Sequence, residues 1–317
     1  MLGNGRSRLT HTVECDKLLA VRSLRNQSFP VLTLNRILGR YPIRRTFMEL
    51  PRTKIGDVEV TRMILGSNTF HGFSHFSAAK DNWLKEYFTR EKTYELVEAA
   101  ANLGMNAVMS NTREDFYEIL QELERNTGHH MVWICTPGAK TAKELEPGIR
   151  WCADHGVEIC MPHQVYTDNN LIPAQNRIEG AEEVLSLIRS LGMETGWSTH
   201  RPEAIVVSDA AGYDIEVYIQ PYNSIGFLCA VETDWVGRVI NRTPKPVICI
   251  KPLGAGRIMP PTGLSFIYNS IKPIDTVCIG VLSPREAEED VKLALSIMEK
   301  QEAGVELQYT RSKQVLA

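Results

Sequence analysis

The sequence predicts a TIM-type (β/α)8 barrel with a short N-terminal β-hairpin. Short apolar runs rich in β-branched residues alternate with amphipathic helical patterns, which is typical of parallel βαβ units. Eight such units fit into about 250 residues, the usual size of this barrel. The last two units, between Pro246 and Ala294, each place a turn directly after a buried strand. Two such turns late in the chain predict the phosphate-binding corner of a barrel.

The elements follow from the pattern in chain order. A hairpin comes first, with Lys54-Ile55 and Val58-Glu59-Val60 on either side of the turn dipeptide Gly56-Asp57. Barrel strands are expected over 62–65, 107–109, 131–135, 157–161, 193–197, 215–219, 247–250 and 277–279. Helices are expected over 89–103, 112–126, 144–155, 178–191 and 202–211, and from 283 onwards, and Thr89 is expected to be the N-cap of the first. A doubly wound sheet is the alternative fold, which the lack of an early GxGxxG motif disfavours.

Composition indicates an ordinary globular protein. The chain has 317 residues, of which 43% are hydrophobic and 23% charged. Because no apolar run approaches the ~18 residues of a membrane span, we expect a soluble protein that does not enter a membrane. The seven cysteines form no CxxC pair, so we expect a reducing, cytoplasmic location without disulfides.

Charge divides the chain into two parts. Residues 1–47 carry nine basic and two acidic side chains, whereas residues 48–317 are acidic overall. We expect residues 48–317 to form the barrel and residues 1–47 to be a basic extension. The extension could be a disordered tail, an organelle-targeting segment, a binding arm, or sequence upstream of a true start at Met48.

Polar side chains occupy the predicted carboxyl ends of the strands, where barrel enzymes place their chemistry. His163 follows an apolar strand and is the candidate general acid or base. Asn68, Asn111 and Gln164 are expected to orient a substrate. Lys251, at the seventh strand end, could form a Schiff base, pair with a phosphate or reach solvent.

Two further patterns indicate ligand binding. His71, His75, His163 and His200 offer four imidazoles near one face, a number that suits zinc. The pattern nevertheless favours an aromatic loop, Phe70 to Phe76, that forms the lid of a pocket, because His71 and His75 lie on a loop that contains glycine and have no carboxylate partner. Gly254 and Gly256 allow backbone N–H groups to approach a ligand, because glycine has no Cβ. Ser283, with Pro284 and Glu286 after it, reads as the N-cap of a helix whose N-terminus could bind an anion.

Several blocks of the chain resemble the aldo-keto reductase superfamily. They are KIGDVEVTRMILGSNTF, GWSTHRPEAI, YIQPYN, KPLGAGRI and CIGVLSPREAEEDV, and together they span most of Lys54 to Ala294. The resemblance implies a TIM barrel that binds NADP(H) without a Rossmann motif. It places Ser198 and Gln220 at the nicotinamide amide, and Ser283 and Arg285 at the adenosine end. Lys251, Leu253, Gly254 and Gly256 would line the cofactor between these ends.

The chain departs from the family at the catalytic positions. The family uses a Tyr, a Lys, an Asp and a His, of which only the His has a counterpart, His163. The Asp position falls on Met109 or Ser110, the Lys position on Pro137, and the Tyr position on Asn111 or Thr112. The adenine-binding Asn position is Asp290.

The sequence therefore predicts an aldo-keto-reductase-like oxidoreductase, dependent on NADP(H), with His163 as acid or base and a small-molecule substrate. A non-redox lyase or isomerase, with or without a histidine-bound metal, and a non-catalytic ligand-binding barrel are the alternatives. We expect no nucleic-acid partner, and the sequence leaves the substrate and the oligomeric state open.

Overall fold

A computed structural model describes residues 49–300. The predicted basic extension at 1–47, and Met48 as its boundary, lie outside this range, so the division into an extension and a barrel stays a prediction. Within the described range, no helix is long and apolar enough to cross a membrane.

Eight parallel strands close into a barrel, as the sequence predicts. The strands are β3 (Met63–Gly66), β4 (Ala107–Ser110), β5 (Val132–Cys135), β6 (Ile159–Cys160), β9 (Glu194–Ser198), β10 (Val217–Pro221), β11 (Val247–Ile250) and β12 (Thr276–Ile279). Around the barrel their order is β10-β11-β12-β3-β4-β5-β6-β9, and β10 pairs with β9 to close the ring. The predicted strands agree with these bounds to within one or two residues at each end.

The predicted hairpin is also present. Strands β1 (Arg52–Ile55) and β2 (Val58–Thr61) pair antiparallel, and the two-residue turn between them begins with Gly56 at a φ of 58°. Ile55 and Val60 are fully buried and belong to the same apolar cluster as Ile64 and Ile248 of the barrel strands. The hairpin therefore contributes apolar side chains to the barrel interior.

Ten α-helices accompany the strands within residues 49–300. They are α1 (Ala78–Tyr87), α2 (Arg90–Asn102), α3 (Glu114–Thr127), α4 (Ala142–Asp154), α5 (Gln164–Asn170), α6 (Ala181–Ser190), α7 (Glu203–Ala211), α8 (Thr233–Arg242), α9 (Pro260–Ser270) and α10 (Pro284–Glu299). Thr89 and Ser283 cap α2 and α10 through their side-chain oxygens, as predicted. Each accepts a backbone N–H from the first turn of its helix, which satisfies a donor that has no partner within the helix.

Side chains alternate between two apolar layers along each strand. One layer fills the barrel and includes Ile134, Met161 and Ile219. The other packs the barrel against the helices and includes Trp133, Cys160 and Tyr218. Because side chains alternate in this way, every second residue at the end of a strand faces the barrel mouth.

Several features between the strands differ from the prediction, and α8 is a further helix that the predicted set did not include. The segment between β3 and α2 contains α1, and the segment between β6 and α6 contains the short helix α5 and a small antiparallel pair, β7 (Leu171–Ile172) and β8 (Arg177–Ile178). The segment predicted as helix from residue 178 begins as β8, and α6 starts only at Ala181. The sequence of α5, QVYTDNN, has no apolar periodicity, because the helix is only seven residues long.

Candidate functional site

Four basic side chains come together at the carboxyl ends of the strands. They are His75 after β3, His163 after β6, His200 after β9 and Lys251 after β11. The Lys251 ammonium contributes to lowering the pKa of all three imidazoles, and His163 and His75 further lower the pKa of His200. We name these four residues the mouth cluster.

His163 is held in one orientation by the start of α5. It is the N-cap residue of this helix, and its Nδ1 accepts the backbone N–H of Val165 at 3.3 Å. Since Nδ1 is an acceptor, the proton of the neutral ring lies on Nε2. Burial, followed by the nearby Lys251, lowers the pKa of His163 below its usual 6.5. At neutral pH the ring is therefore a neutral hydrogen-bond donor through Nε2.

His200 is positioned by an aspartate that the sequence did not single out. Asp168, on α5, accepts the backbone N–H of His200 at 3.0 Å, and its other oxygen accepts the hydroxyl of Thr199. The pKa of His200 itself is lowered to about 3, first by burial and then by Lys251. Asp168 thus ties the loop after β9 to α5, while the His200 ring stays neutral.

Lys251 has an unusual backbone conformation. Its φ is 61°, in the left-handed region that non-glycine residues rarely adopt. Because Ile250 belongs to the barrel interior, regular strand alternation would direct residue 251 away from it. Instead, Lys251 lies near enough to Cys278, which also belongs to the interior cluster, for each group to influence the pKa of the other. The left-handed turn therefore coincides with a side chain that points back into the mouth.

His71 lies apart from the mouth cluster. Its ring packs edge-on against Phe70 and Phe116, with centroids 4.9 and 5.4 Å away. Burial and the nearby Arg113 lower its pKa to about 4. The aromatic loop prediction describes this residue better than the metal prediction does.

The histidine-bound metal is a prediction that the arrangement does not support. Among residues 49–300, no group of three or more His, Cys, Asp or Glu side chains is placed to hold a metal ion. The physical reasons are that His71 faces the aromatic loop, and that Lys251 places a positive charge beside His75, His163 and His200. A neighbouring ammonium opposes the binding of a dication.

The three predicted substrate-orienting amides lie at different strand ends. Asn68 is exposed after β3, and Gln164 follows His163 as the first residue of α5. Asn111 is exposed after β4, and its side-chain oxygen accepts the hydroxyl of Thr136 at 3.0 Å. Their contact with a substrate remains a prediction.

Ser198 and Gln220, predicted to hold the nicotinamide amide, lie on the paired strands β9 and β10. The Gln220 side chain is fully buried, and its Nε2 donates to the carbonyls of Pro221 and His200 at 3.3 and 3.5 Å. Its Oε1 is buried without a partner in the part of the chain that the structure describes. An orphaned buried acceptor is costly, and a carboxamide N–H donor would satisfy it.

The loop after β11 differs from the prediction in one respect. Gly254 and Gly256 both have positive φ values, 54° and 82°, which explains why glycine is needed there. However, the Gly254 N–H donates to the Lys251 carbonyl and the Gly256 N–H to the Leu253 carbonyl, both at 3.0 Å. These two donors are therefore satisfied within the loop, so they would have to rearrange to bind a phosphate.

The start of α10 carries both basic and acidic side chains, which have opposite effects on the binding of an anion. Arg285 is exposed and forms no ion pair with any residue of the described range, whereas Glu286 accepts the backbone N–H of Leu282 at 2.7 Å. Asp290 is buried one turn further on. Burial, then Glu286 and Glu289, raise its pKa to about 7. The Arg285 guanidinium suits a phosphate, whereas these carboxylates oppose one.

Aromatic side chains and an arginine form the rim above the mouth. The guanidinium of Arg257, after β11, lies over the rings of Phe76 and Phe227, 5.0 and 4.3 Å from their centroids. Arg257 and Phe227 are further residues that the sequence did not single out. The aromatic loop after β3 was predicted, but only the structure brings it against the loops after β10 and β11.

Comparison with known proteins supports the fold. No protein-family model and no curated protein matches the sequence. A solved aldo-keto reductase from Pseudomonas aeruginosa is 15% identical, with a TM-score of 0.59 over 82% of this chain and 99% of that one. A glycerol dehydrogenase from Gluconobacter oxydans is 10% identical, with a TM-score of 0.51 over 82% and 98%. The resemblance to aldo-keto reductases is thus confirmed at the level of the fold.

Proposed function

We propose that this chain is an oxidoreductase of the aldo-keto reductase type, which binds NADP(H) across the ends of β9 to β12 and acts on a small carbonyl compound or alcohol. The observation that carries the proposal is the fixed, neutral His163, whose Nε2–H is available at the barrel mouth. The shared fold with solved aldo-keto reductases agrees with it. The alternatives are a non-redox barrel enzyme and a ligand-binding barrel.

The region of Ser198 and Gln220, expected to bind the nicotinamide, fits NADP(H) better than the loop after β11 and the start of α10 do. The orphaned Gln220 Oε1 would accept a hydrogen bond from the carboxamide. Ser198 lies on the paired strand β9, opposite Ile219, the residue before Gln220. Leu253, Gly254 and Gly256 would contact the cofactor after the loop rearranges. Ser283 and Arg285 would meet the adenosine end, where Arg285 supplies the charge for a 2′-phosphate. When bound, NADP(H) supplies a hydride.

His163 takes the role that a tyrosine has in the family. Its neutral Nε2–H donates to the carbonyl oxygen and stabilises the negative charge that develops there, which a neutral imidazole can do. The proton then passes to the forming alkoxide, a stronger base than imidazolate. Asp168 and the α5 cap keep the surrounding loops in place. Asn68, Asn111 and Gln164 would orient the substrate.

Replacing His163 by asparagine tests this role. Asparagine can still cap α5, whereas alanine would remove the cap together with the imidazole. With para-nitrobenzaldehyde as a general carbonyl probe and NADPH as reductant, we expect His163→Asn to lower kcat by ~10²-fold or more, as loss of an acid–base group does.

The control for this experiment is His129→Asn, at an exposed loop position that precedes β5 and so lies at the opposite end of the barrel. This variant should keep the wild-type rate. If His163→Asn also kept it, His163 would not be the proton donor.

A further inference from the structure

Lys251 differs from Lys245 and Lys272, two other half-buried lysines of the barrel. Lys245 donates to the Ile215 carbonyl, and Lys272 donates to the Ile240 carbonyl and pairs with Asp275 at 3.0 Å. By contrast, Lys251 has neither an ion pair nor a side-chain hydrogen bond to any residue in the range 49–300. A buried amine without an anionic partner is poorly stabilised in its charged form.

The surroundings of Lys251 favour a neutral amine. The groups that influence it or are influenced by it are His75, His163, His200, Cys229 and Cys278, none of which is a carboxylate. Burial lowers the pKa of Lys251 to about 8. Roughly one amine in ten is then neutral at pH 7, compared with fewer than about one in a thousand for an ordinary lysine.

The backbone supports the same interpretation. A left-handed φ at a non-glycine residue is energetically costly and persists where the surrounding structure enforces it. At Lys251 this conformation accompanies an amine near His163 and His200 at the mouth. Lys251 is also only partly buried, so a ligand in the mouth can reach it.

We propose that Lys251 is an amine nucleophile that condenses with an aldehyde or ketone in the barrel mouth. The Nζ lone pair of the neutral amine forms a bond to the carbonyl carbon as the C–O π bond breaks. The proton that the nitrogen then loses passes to the oxygen, which gives a carbinolamine. The carbinolamine then loses its hydroxyl group with a proton as water, which leaves an imine between Nζ and the substrate carbon. No redox change occurs, so the step needs no NADP(H).

His163 is the residue placed to assist the condensation. Its Nε2–H can donate to the oxygen that leaves as water, since its Nδ1 is occupied by the Val165 N–H. This inference goes beyond the proposed function, and it gives Lys251 a role other than the cofactor contact implied by the family resemblance. It assigns the mouth cluster a carbonyl chemistry in which Lys251 forms the covalent bond.

Acetylacetone tests the inference on the full chain, without cofactor. This diketone condenses with a neutral lysine amine through the same steps and ends as a stable enaminone, which absorbs in the near ultraviolet. We expect one adduct per chain at pH 7.5, with the mass of one diketone less one water. Peptide mapping should place it on Lys251, labelled at least ~10-fold faster than the exposed Lys143 because more of the amine is neutral.

Variants complete the experiment. Lys251→Arg should abolish the fast adduct, Lys143→Arg should retain it, and His163→Asn should slow its formation. No adduct on Lys251, or labelling at the same rate as Lys143, would overturn the inference, and mapping of the wild-type chain decides this even if Lys251→Arg fails to fold. An NADPH titration of the same wild-type protein is independent, so saturable NADPH binding without labelling would remove only this inference.

Discussion

Arg285 is the residue that separates NADP(H) from NAD(H) in the proposed function. It is exposed at the start of α10 and has no ion-pair partner within the described part of the chain. A guanidinium forms strong charge-assisted hydrogen bonds with a phosphate but has no such partner on the 2′-hydroxyl of NADH.

We therefore expect Arg285→Ala to weaken NADPH binding by ~10-fold, equivalent to about 1.4 kcal/mol, and to leave NADH binding unchanged. Fluorescence titration with each nucleotide measures both affinities. Arg238→Ala is a suitable control, because Arg238 lies on α8 with its guanidinium over the Trp235 ring, 4.8 Å from the centroid. An equal loss of affinity for both nucleotides would show that Arg285 does not recognise the phosphate.

Asp290 makes stability depend on pH. Because burial, then Glu286 and Glu289, raise its pKa to about 7, the folded chain keeps a proton that the unfolded chain loses near pH 4. The unfolded state then binds fewer protons than the folded state between these values. The free energy of unfolding therefore falls as pH rises from about 4 to about 7, and this contribution is constant above that range.

Asp290→Asn should remove this decrease. The variant should be more stable than the wild type at pH 8, by up to roughly 4 kcal/mol from a shift of about three pKa units, and the difference should shrink towards pH 4. Urea unfolding at pH 5 and pH 8 measures it, with Asp154→Asn, at an exposed position ending α4, as the control. An unchanged pH dependence in Asp290→Asn would contradict the assignment.

Residues also show where sequence reasoning ends. The caps Thr89 and Ser283 were predictable, because a cap depends on its nearest neighbours in sequence. Asp168 was not, since its contacts with Thr199 and His200 join positions more than thirty residues apart. The direction of the Lys251 side chain was not predictable either, because neither composition nor periodicity indicates a left-handed backbone conformation at a lysine.

At the scale of elements, the strands and most helices follow from apolar periodicity, but the connections do not. The loop between Lys251 and Ile258 illustrates this, because the sequence predicts that Gly254 and Gly256 expose backbone N–H groups to a ligand. The N–H groups of both glycines nevertheless donate to carbonyl groups within the loop. Which carbonyl each N–H reaches depends on the fold of the loop and not on its composition. Helix α5 is similar, since it is too short to show a helical period.

Strand β9 contains a glycine required by its contact with β10. A Cβ built on Gly196 would lie 2.5 Å from the Val217 carbonyl oxygen and 2.6 Å from Met161 Cε. Because the carbonyl belongs to the paired strand, it cannot move without disturbing the barrel. We expect Gly196→Ala to lower the free energy of unfolding by ~2 kcal/mol or more, as overpacking does.

Chemical denaturation measures this change. Gly138→Ala is the matched control, because its added Cβ would meet only His163 Cβ, at 3.7 Å, an ordinary contact distance. Equal stabilities of the two variants would mean that β9 and β10 can separate enough to accept a methyl group.

At the scale of the whole molecule, the closed barrel is the strongest prediction from sequence, since eight strand–helix units determine it jointly. The polar ring at the strand ends was also predictable. Periodicity could not predict which of those side chains lie close to one another. The clearest example is His71, which lies apart from the mouth cluster. A position in sequence gives the strand end but not the direction of a loop side chain.

The central claim is that the carboxyl ends of β9 to β12 bind NADP(H). Titration of the wild-type chain with NADPH, followed by quenching of its tryptophan fluorescence, measures this directly. The account predicts saturable binding with a Kd well below ~1 mM, in the range usual for enzyme ligands, and weaker binding after Gln220→Ala, which removes the orphaned acceptor. The absence of saturation up to ~1 mM NADPH would contradict the account.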